Sequence, residues 1–313
     1  MTLKLAPALM LLSLLSAIGA NATPITLTTV KSSSSHAGVA VDESTGKIYQ
    51  RSGYNGESSV LVYANAAAFA ANAPMSTLTL GGGGFYGTYF EVSDGKIFGR
   101  TSKGSTAVAR WDASTGLREL SKASFPGMGG ANGTDTFDWG DYSGVNWMQD
   151  QTGLYVLGHN SGGTLWQLDK MDANLNVLST LTADLGPLGY AFLVNGKLFA
   201  STSANSNVIS KSLDLATGVL STVDFTLSGS GNQVWDNVSY DYSTDTLRLG
   251  SYARSFVQVS SASSQFGTGP LLARSGSGAV PAPSTLALAS LALMGLTLST
   301  RARKARRLAA QAR

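Results

Sequence analysis

The 313 residues contain no cysteine, which excludes disulfides, thiol catalysis and cysteine-ligated metals. A body of roughly 250 residues buries enough core to do without cross-links. Histidine occurs twice, at His36 and His159, and two scattered imidazoles do not make a metal site. Glutamate occurs four times, at Glu43, Glu57, Glu91 and Glu119, which leaves few partners for the paired carboxyls of a glycoside hydrolase. No Gly-x-Ser-x-Gly elbow precedes a helix. The glycine run Gly81–Gly84 lacks the Lys-Ser/Thr of a phosphate loop. Only 13% of residues are charged, against 36 glycines, the composition of a β-rich exported protein with many tight turns.

Both ends carry export signals. Lys4 precedes an apolar stretch from Leu5 to Ile18, and Ala20-Asn21-Ala22 supplies the small-x-small pattern. Residues 1–22 therefore read as a secretory signal peptide cleaved before Thr23. At the other end Val280-Pro281-Ala282-Pro283-Ser284 opens a charge-free run of 21 residues to Thr300. At ~1.5 Å per residue such a run spans a bilayer as a transmembrane helix. Arg301, Arg303, Lys304, Arg306 and Arg307 follow and set a cytoplasmic C-terminus.

Residues 280–313 resemble the PEP-CTERM sorting signal, in which Val-Pro-Glu-Pro-Ser, one span and an arginine cluster occur in this order. Ala282 stands where that family has Glu, which bears on cleavage more than on insertion. The resemblance implies processing by an exosortase, a Gram-negative bacterium, passage through the inner membrane, and a destination at the outer surface or in an exopolysaccharide or biofilm matrix.

These ends also carry the excess positive charge. Seven of the 22 basic residues, Lys4 and six after Thr300, lie in them, leaving 15 against 19 acidic residues and a net charge of −4 for the body. Nucleic acid is therefore not an expected partner.

Within the body, strand pairs recur around short turns: Gly38–Asp42 with Lys47–Ser52, Gly87–Val92 with Lys96–Thr101, Gly144–Asp150 with Leu154–Gly158, Tyr190–Val194 with Lys197–Thr202, and Asn237–Asp241 with Thr246–Ser251. Their matching apolar positions, Ile48, Ile97, Leu154, Leu198 and Leu247, are spaced 49, 57, 44 and 49 apart. Third strands follow at Ser59–Tyr63, Thr106–Trp111, Thr164–Leu168, Val208–Leu213 and Phe256–Val259. Fourth strands follow the first four pairs only, at Ser76–Leu80, Leu117–Leu120, Val177–Leu181 and Val219–Phe225.

Four strands every ~50 residues predict an all-β fold, a β-propeller over residues 23–260 with five four-stranded blades. The N-terminal strand Ile25–Val30 would complete the fifth blade and close the ring. A sixth blade within residues 121–143 and a β-sandwich are the alternatives. Residues 261–279, rich in Ser and Gly, read as a flexible linker. Ala64–Ala71 reads as one or two helical turns.

Propellers bind ligands on the loops at one mouth. Candidate ligand residues there are Tyr54, Asp135, Asp138, Trp139, Asp141, His159 and Trp235. Asp135, Asp138 and Asp141 offer hard oxygens at i, i+3 and i+6 for Ca²⁺, but the order departs from an EF-hand loop and a solvated acidic loop is the plainer reading. Trp147 sits in an alternating strand and reads as core; Trp111 and Trp166 read as packing between blades. No catalytic residue and no cofactor is specified. The leading reading is a non-enzymatic surface protein that binds extracellular polysaccharide or builds the matrix. The alternatives are a glycan hydrolase or lyase using Glu57, Asp135 or Asp138, and a structural envelope protein without a small ligand.

Overall fold

A computed structural model describes residues 23–269, apart from 33–36, 53–57, 83–85, 102–106, 124, 126–127, 129–144, 160–164, 202–206, 229–234 and 252–254. The described strands form five sheets arranged as the blades of a propeller. The first blade holds β3 (Ala37–Asp42), β4 (Lys47–Ser52), β5 (Ser59–Tyr63) and β6 (Ser76–Thr79), with α1 (Ala66–Ala70) between the last two. The second holds β7 (Tyr86–Ser93), β8 (Lys96–Arg100), β9 (Val108–Asp112) and β10 (Arg118–Lys122). The third holds β11 (Val145–Asp150), β12 (Gly153–His159), β13 (Trp166–Met171) and β14 (Val177–Ala183). The fourth holds β15 (Tyr190–Val194), β16 (Lys197–Ser201), β17 (Val208–Asp214) and β18 (Leu220–Ser228). The fifth holds β19 (Trp235–Asp241), β20 (Thr246–Ser251) and β21 (Ser255–Ser260). The described part of residues 121–143 contributes the end of β10 and no sheet of its own.

The N-terminus closes the ring differently from the single strand expected. It divides at Leu27 into β1 (Thr23–Thr26) and β2 (Thr28–Ser32). β1 adds a fifth, parallel strand to the fourth blade, pairing Thr23 with Phe225 and Thr26 with Ser228. β2 then completes the fifth blade, antiparallel to β21. The division follows from burial: Ile25 and Leu27 both point into the interface between the fourth and fifth blades, so the chain serves one sheet before crossing to the next.

Burial falls from the axis outward, as expected when each blade is covered on both faces near the axis and splayed at the rim. In the third blade β11 is buried throughout, while β14 alternates between exposed and half-buried residues. Five apolar clusters fill the five gaps between blades, and they differ in size. The gap between the fourth and fifth blades holds sixteen buried residues, among them Ile25, Phe192, Phe199, Tyr240 and Phe266. The gap between the fifth and first holds six among the described residues: Val39, Val41, Ile48, Tyr63, Phe69 and Phe256.

The turns are built from side chains that follow the strands. Asp112, Asp214 and Asp241 each accept backbone N–H groups from two or three residues on, the Asx arrangement that stabilises tight turns. Gly116 ends one of these turns at φ +74°, and a Cβ there would stand 2.1 Å from the Thr79 carbonyl oxygen. Only glycine fits so close to the neighbouring blade.

Past Ser260, in the stretch expected to be spacer, the chain remains folded over the described residues 261–269. α2 (Ala262–Gln265) leads to Phe266, buried at ring distances of 5.3 Å from Phe192 and 5.0 Å from Phe199. Asp245 accepts the Ser263 N–H at 2.8 Å and fixes the start of this helix. One phenylalanine among serines and glycines is thus enough to dock the segment. No helix of the described residues is long and apolar enough to cross a membrane; the span expected at 280–300 lies outside them.

Candidate functional site

Two faces of the propeller differ in kind. The hairpins β3–β4, β7–β8, β11–β12, β15–β16 and β19–β20 turn on one face; the connections to which the candidate ligand residues belong leave from the opposite strand ends. Asp135, Asp138, Trp139, Asp141 and Tyr54 lie outside the described residues. Trp235 begins β19, and its side chain is likewise outside them. His159 ends β12, half-buried, with its ring edge-on to Trp166 at 5.3 Å. The structure therefore places His159 in a packing contact between adjacent strands.

The described polar groups concentrate along the axis. Glu91, Asn146, Gln149, Asn237 and Ser239 come from the innermost strands β7, β11 and β19, and all are buried. Gln149 donates through Nε2 to the Val92 carbonyl at 2.7 Å, the Val41 carbonyl at 3.1 Å and Glu91 Oε1 at 3.3 Å. One amide group thus ties the first three blades together at the centre. Ser239 donates to Glu91 Oε1 from the fifth blade, and Asn146 donates to the Ala191 carbonyl of the fourth.

Glu91 is fully buried, and its Oε2 has no hydrogen-bond partner among the described residues. Burial pushes its carboxyl well above the ordinary glutamate range, with the Glu43 charge adding to the rise. Toward the loop face the guanidinium groups of Arg51 and Arg100 are also buried; desolvation lowers Arg100 to about 10. The axis is thus a packed polar core. Among the described residues no three His, Cys, Asp or Glu side chains converge as a metal centre would require.

On the turn face, carboxylates bind one blade to the next. Asp150 accepts Gly196 N–H at 2.6 Å across the gap between the third and fourth blades. Glu43 accepts Tyr242 N–H at 3.0 Å and Ser243 N–H at 3.2 Å across the gap between the fifth and first. Near the rim, Lys31 of β2 reaches into the first blade. Its Nζ donates to Gln50 Oε1 at 2.6 Å, Tyr63 OH at 2.9 Å and Asn72 Oδ1 at 3.2 Å. The same ammonium stands 4.0 Å from the Phe69 ring centre and 4.2 Å from that of Tyr63. Burial lowers it to about 8, and the aromatic faces offset part of that cost.

Nothing in the local sequence singles out Glu43 or Lys31. Their roles depend on partners up to 200 residues away, beyond the reach of local pattern. Glu91 did leave a signal: a carboxyl between Phe90 and Val92 in a strand of the innermost set.

These features define a closed five-bladed β-propeller with a filled polar axis and chain-end closure. The olfactomedin-like domain model matches residues 23–254, and the chain belongs to that family. No curated protein sequence matches it. Among solved structures it is similar to glutaminyl cyclase of Myxococcus xanthus, at 12% identity and a TM-score of 0.46, over 76% of this chain and 97% of that one. It is also similar to the computationally designed Ika8 protein, at 13% identity and a TM-score of 0.34, over 69% of this chain and 55% of that one. At these scores neither likeness bears on function.

Proposed function

We propose that this is an exported cell-surface protein whose propeller acts as a non-enzymatic binding or matrix component alongside exopolysaccharide. The observation that carries the reading is where the family match begins. β1 starts at Thr23, the residue that follows the expected signal-peptide cleavage, and the olfactomedin-like match starts there too. In this reading the leader lies outside the matched domain.

The far end supports the same division of labour. Asn195, in the β15–β16 turn, donates to the carbonyls of Thr268 and Gly269, so the chain leaves the propeller on the turn face. Tyr54, Asp135, Asp138, Trp139 and Asp141, outside the described residues, fall between strands whose adjoining ends lie on the other face, and this reading assigns them to a ligand such as polysaccharide. In this reading an exosortase handles residues 280–313 at the membrane, and Val280–Ser284 is the processing motif.

Pull-down of residues 23–278 with the producer's own exopolysaccharide tests the binding function. Retention that falls with alanine at Trp139 and Asp138 is expected; no retention of the folded protein contradicts it. Mass spectrometry of the mature surface protein tests the processing. A C-terminus near Pro281 is expected, and a chain intact to Arg313 refutes cleavage.

A further inference from the structure

The interface that closes the ring holds a carboxyl pair. Glu43 leaves the first blade in the β3–β4 turn and accepts two backbone N–H groups, of Tyr242 and Ser243, from the β19–β20 turn of the fifth. The preceding residue there, Asp241, is buried and engaged: Arg248 Nη1 stands 2.6 Å from Oδ2, while Ser243 Oγ at 2.8 Å and Thr244 N–H at 3.1 Å reach Oδ1. Glu43 and Asp241 thus converge on one residue of that turn, Glu43 Oε2 on the Ser243 N–H and Asp241 Oδ1 on the Ser243 hydroxyl. Two carboxyl groups held this close sit together at less cost when one of them carries a proton.

The surroundings decide which one carries it. Although burial alone would raise Asp241, Arg248 and the turn donors hold it below the ordinary range, hence ionised. The groups that face Glu43 are Asp241 and Tyr240 on β19, Arg248 on β20 through its bond to Asp241, and Glu91 on β7. Arg248 is spent on Asp241, so Glu43 has no cation of its own among these groups.

We propose that a proton on Glu43, beside Asp241, keeps the first and fifth blades latched, and that its loss as pH rises loosens this interface ahead of the other four. Burial first, then the charge of Asp241, lifts Glu43 from 4.5 to about 8. The folded chain thus keeps a proton that the unfolded chain releases. The stabilisation is complete below about pH 4.5 and is lost as pH rises through about 8. Ionised Glu43 would face ionised Asp241 across an interface that has six buried apolar residues to resist the repulsion. At the corresponding staple of the third and fourth blades burial also raises Asp150, but it receives Thr152 and Gly196 and feels Lys170, with no second carboxyl hydrogen-bonded to the same turn among the described residues.

Thermal unfolding of the full chain in mild detergent, wild type against Glu43→Gln, tests the latch between about pH 5 and about pH 9. The Gln side chain is neutral at every pH in this range. The wild type should lose a few degrees relative to the variant as pH rises through this range. Parallel curves would overturn the proposal, including the case in which Glu91 alone sets the slope. Should the variant not fold, hydrogen exchange in the wild type decides. Corrected for intrinsic rates, exchange at Tyr242 and Ser243 should accelerate above about pH 8 relative to Gly196. Equal acceleration at all three would overturn it.

Discussion

The two interfaces that flank the fifth blade are made from opposite materials. Toward the fourth blade, Phe192, Phe199, Phe225 and Phe266 pack ring on ring, with Ile25 and Leu27 of the N-terminal segment beneath them. Toward the first blade, six buried apolar residues are supplemented by Lys31 at the rim and the Glu43–Asp241 pair on the turn face. Apolar burial is insensitive to pH and forgiving of small shifts, whereas buried charged pins are sensitive to both. A ring closed by its chain end thus has one wall of oil and one of polar pins.

Substitutions in the two walls are expected to differ in cost and in pH dependence. The largest loss is expected from Phe199→Ala, which empties the centre of the aromatic cluster and should cost about 3–5 kcal/mol in denaturant unfolding. Deletion of residues 23–27 should cost about 3 kcal/mol by removing Ile25 and Leu27 and uncovering the apolar surface they bury. Gln149→Leu removes the amide that joins three blades and leaves the Val41 and Val92 carbonyls unbonded, for about 2 kcal/mol.

Lys31→Met keeps the stem and removes the charge, for about 1 kcal/mol near neutral pH; its signature is in the pH profile. Because burial lowers Lys31 from 10.5 to about 8, the wild type should gain stability as pH rises between those values. The Met variant should lose that gain, and a profile unchanged by the substitution would remove Lys31 from the account. The smallest effect belongs to Asp214→Ala, on an ordinary turn away from the closing interface, at about 0.5–1 kcal/mol and with no change in pH profile above about pH 5.

Much of the propeller was legible because its signals are local. Ile48, Ile97, Leu154, Leu198 and Leu247 repeat within strands of even length, and turns such as Asp214-Leu-Ala-Thr-Gly218 punctuate them. The division of the N-terminus was not legible. Thr26, Thr28 and Thr29 offer no break, and only the two blades competing for Ile25 and Val30 separate β1 from β2. Phe266 was hidden by the serines and glycines around it. The roles of Glu43 and Lys31 were not legible because their partners lie in other blades. Of the ligand candidates, His159 proved to face Trp166, since a strand end and a loop start share one residue. Those between Tyr54 and Asp141 lie outside the described residues.

Native-state hydrogen exchange at about pH 8 tests the difference between the two walls most directly. The account predicts that amides of β2 and of the β19–β20 turn, such as Val30 and Tyr242, exchange before those of β15 and β16, such as Phe192 and Phe199. Protection that is equal on the two sides of the fifth blade, or lower toward the fourth, would contradict it.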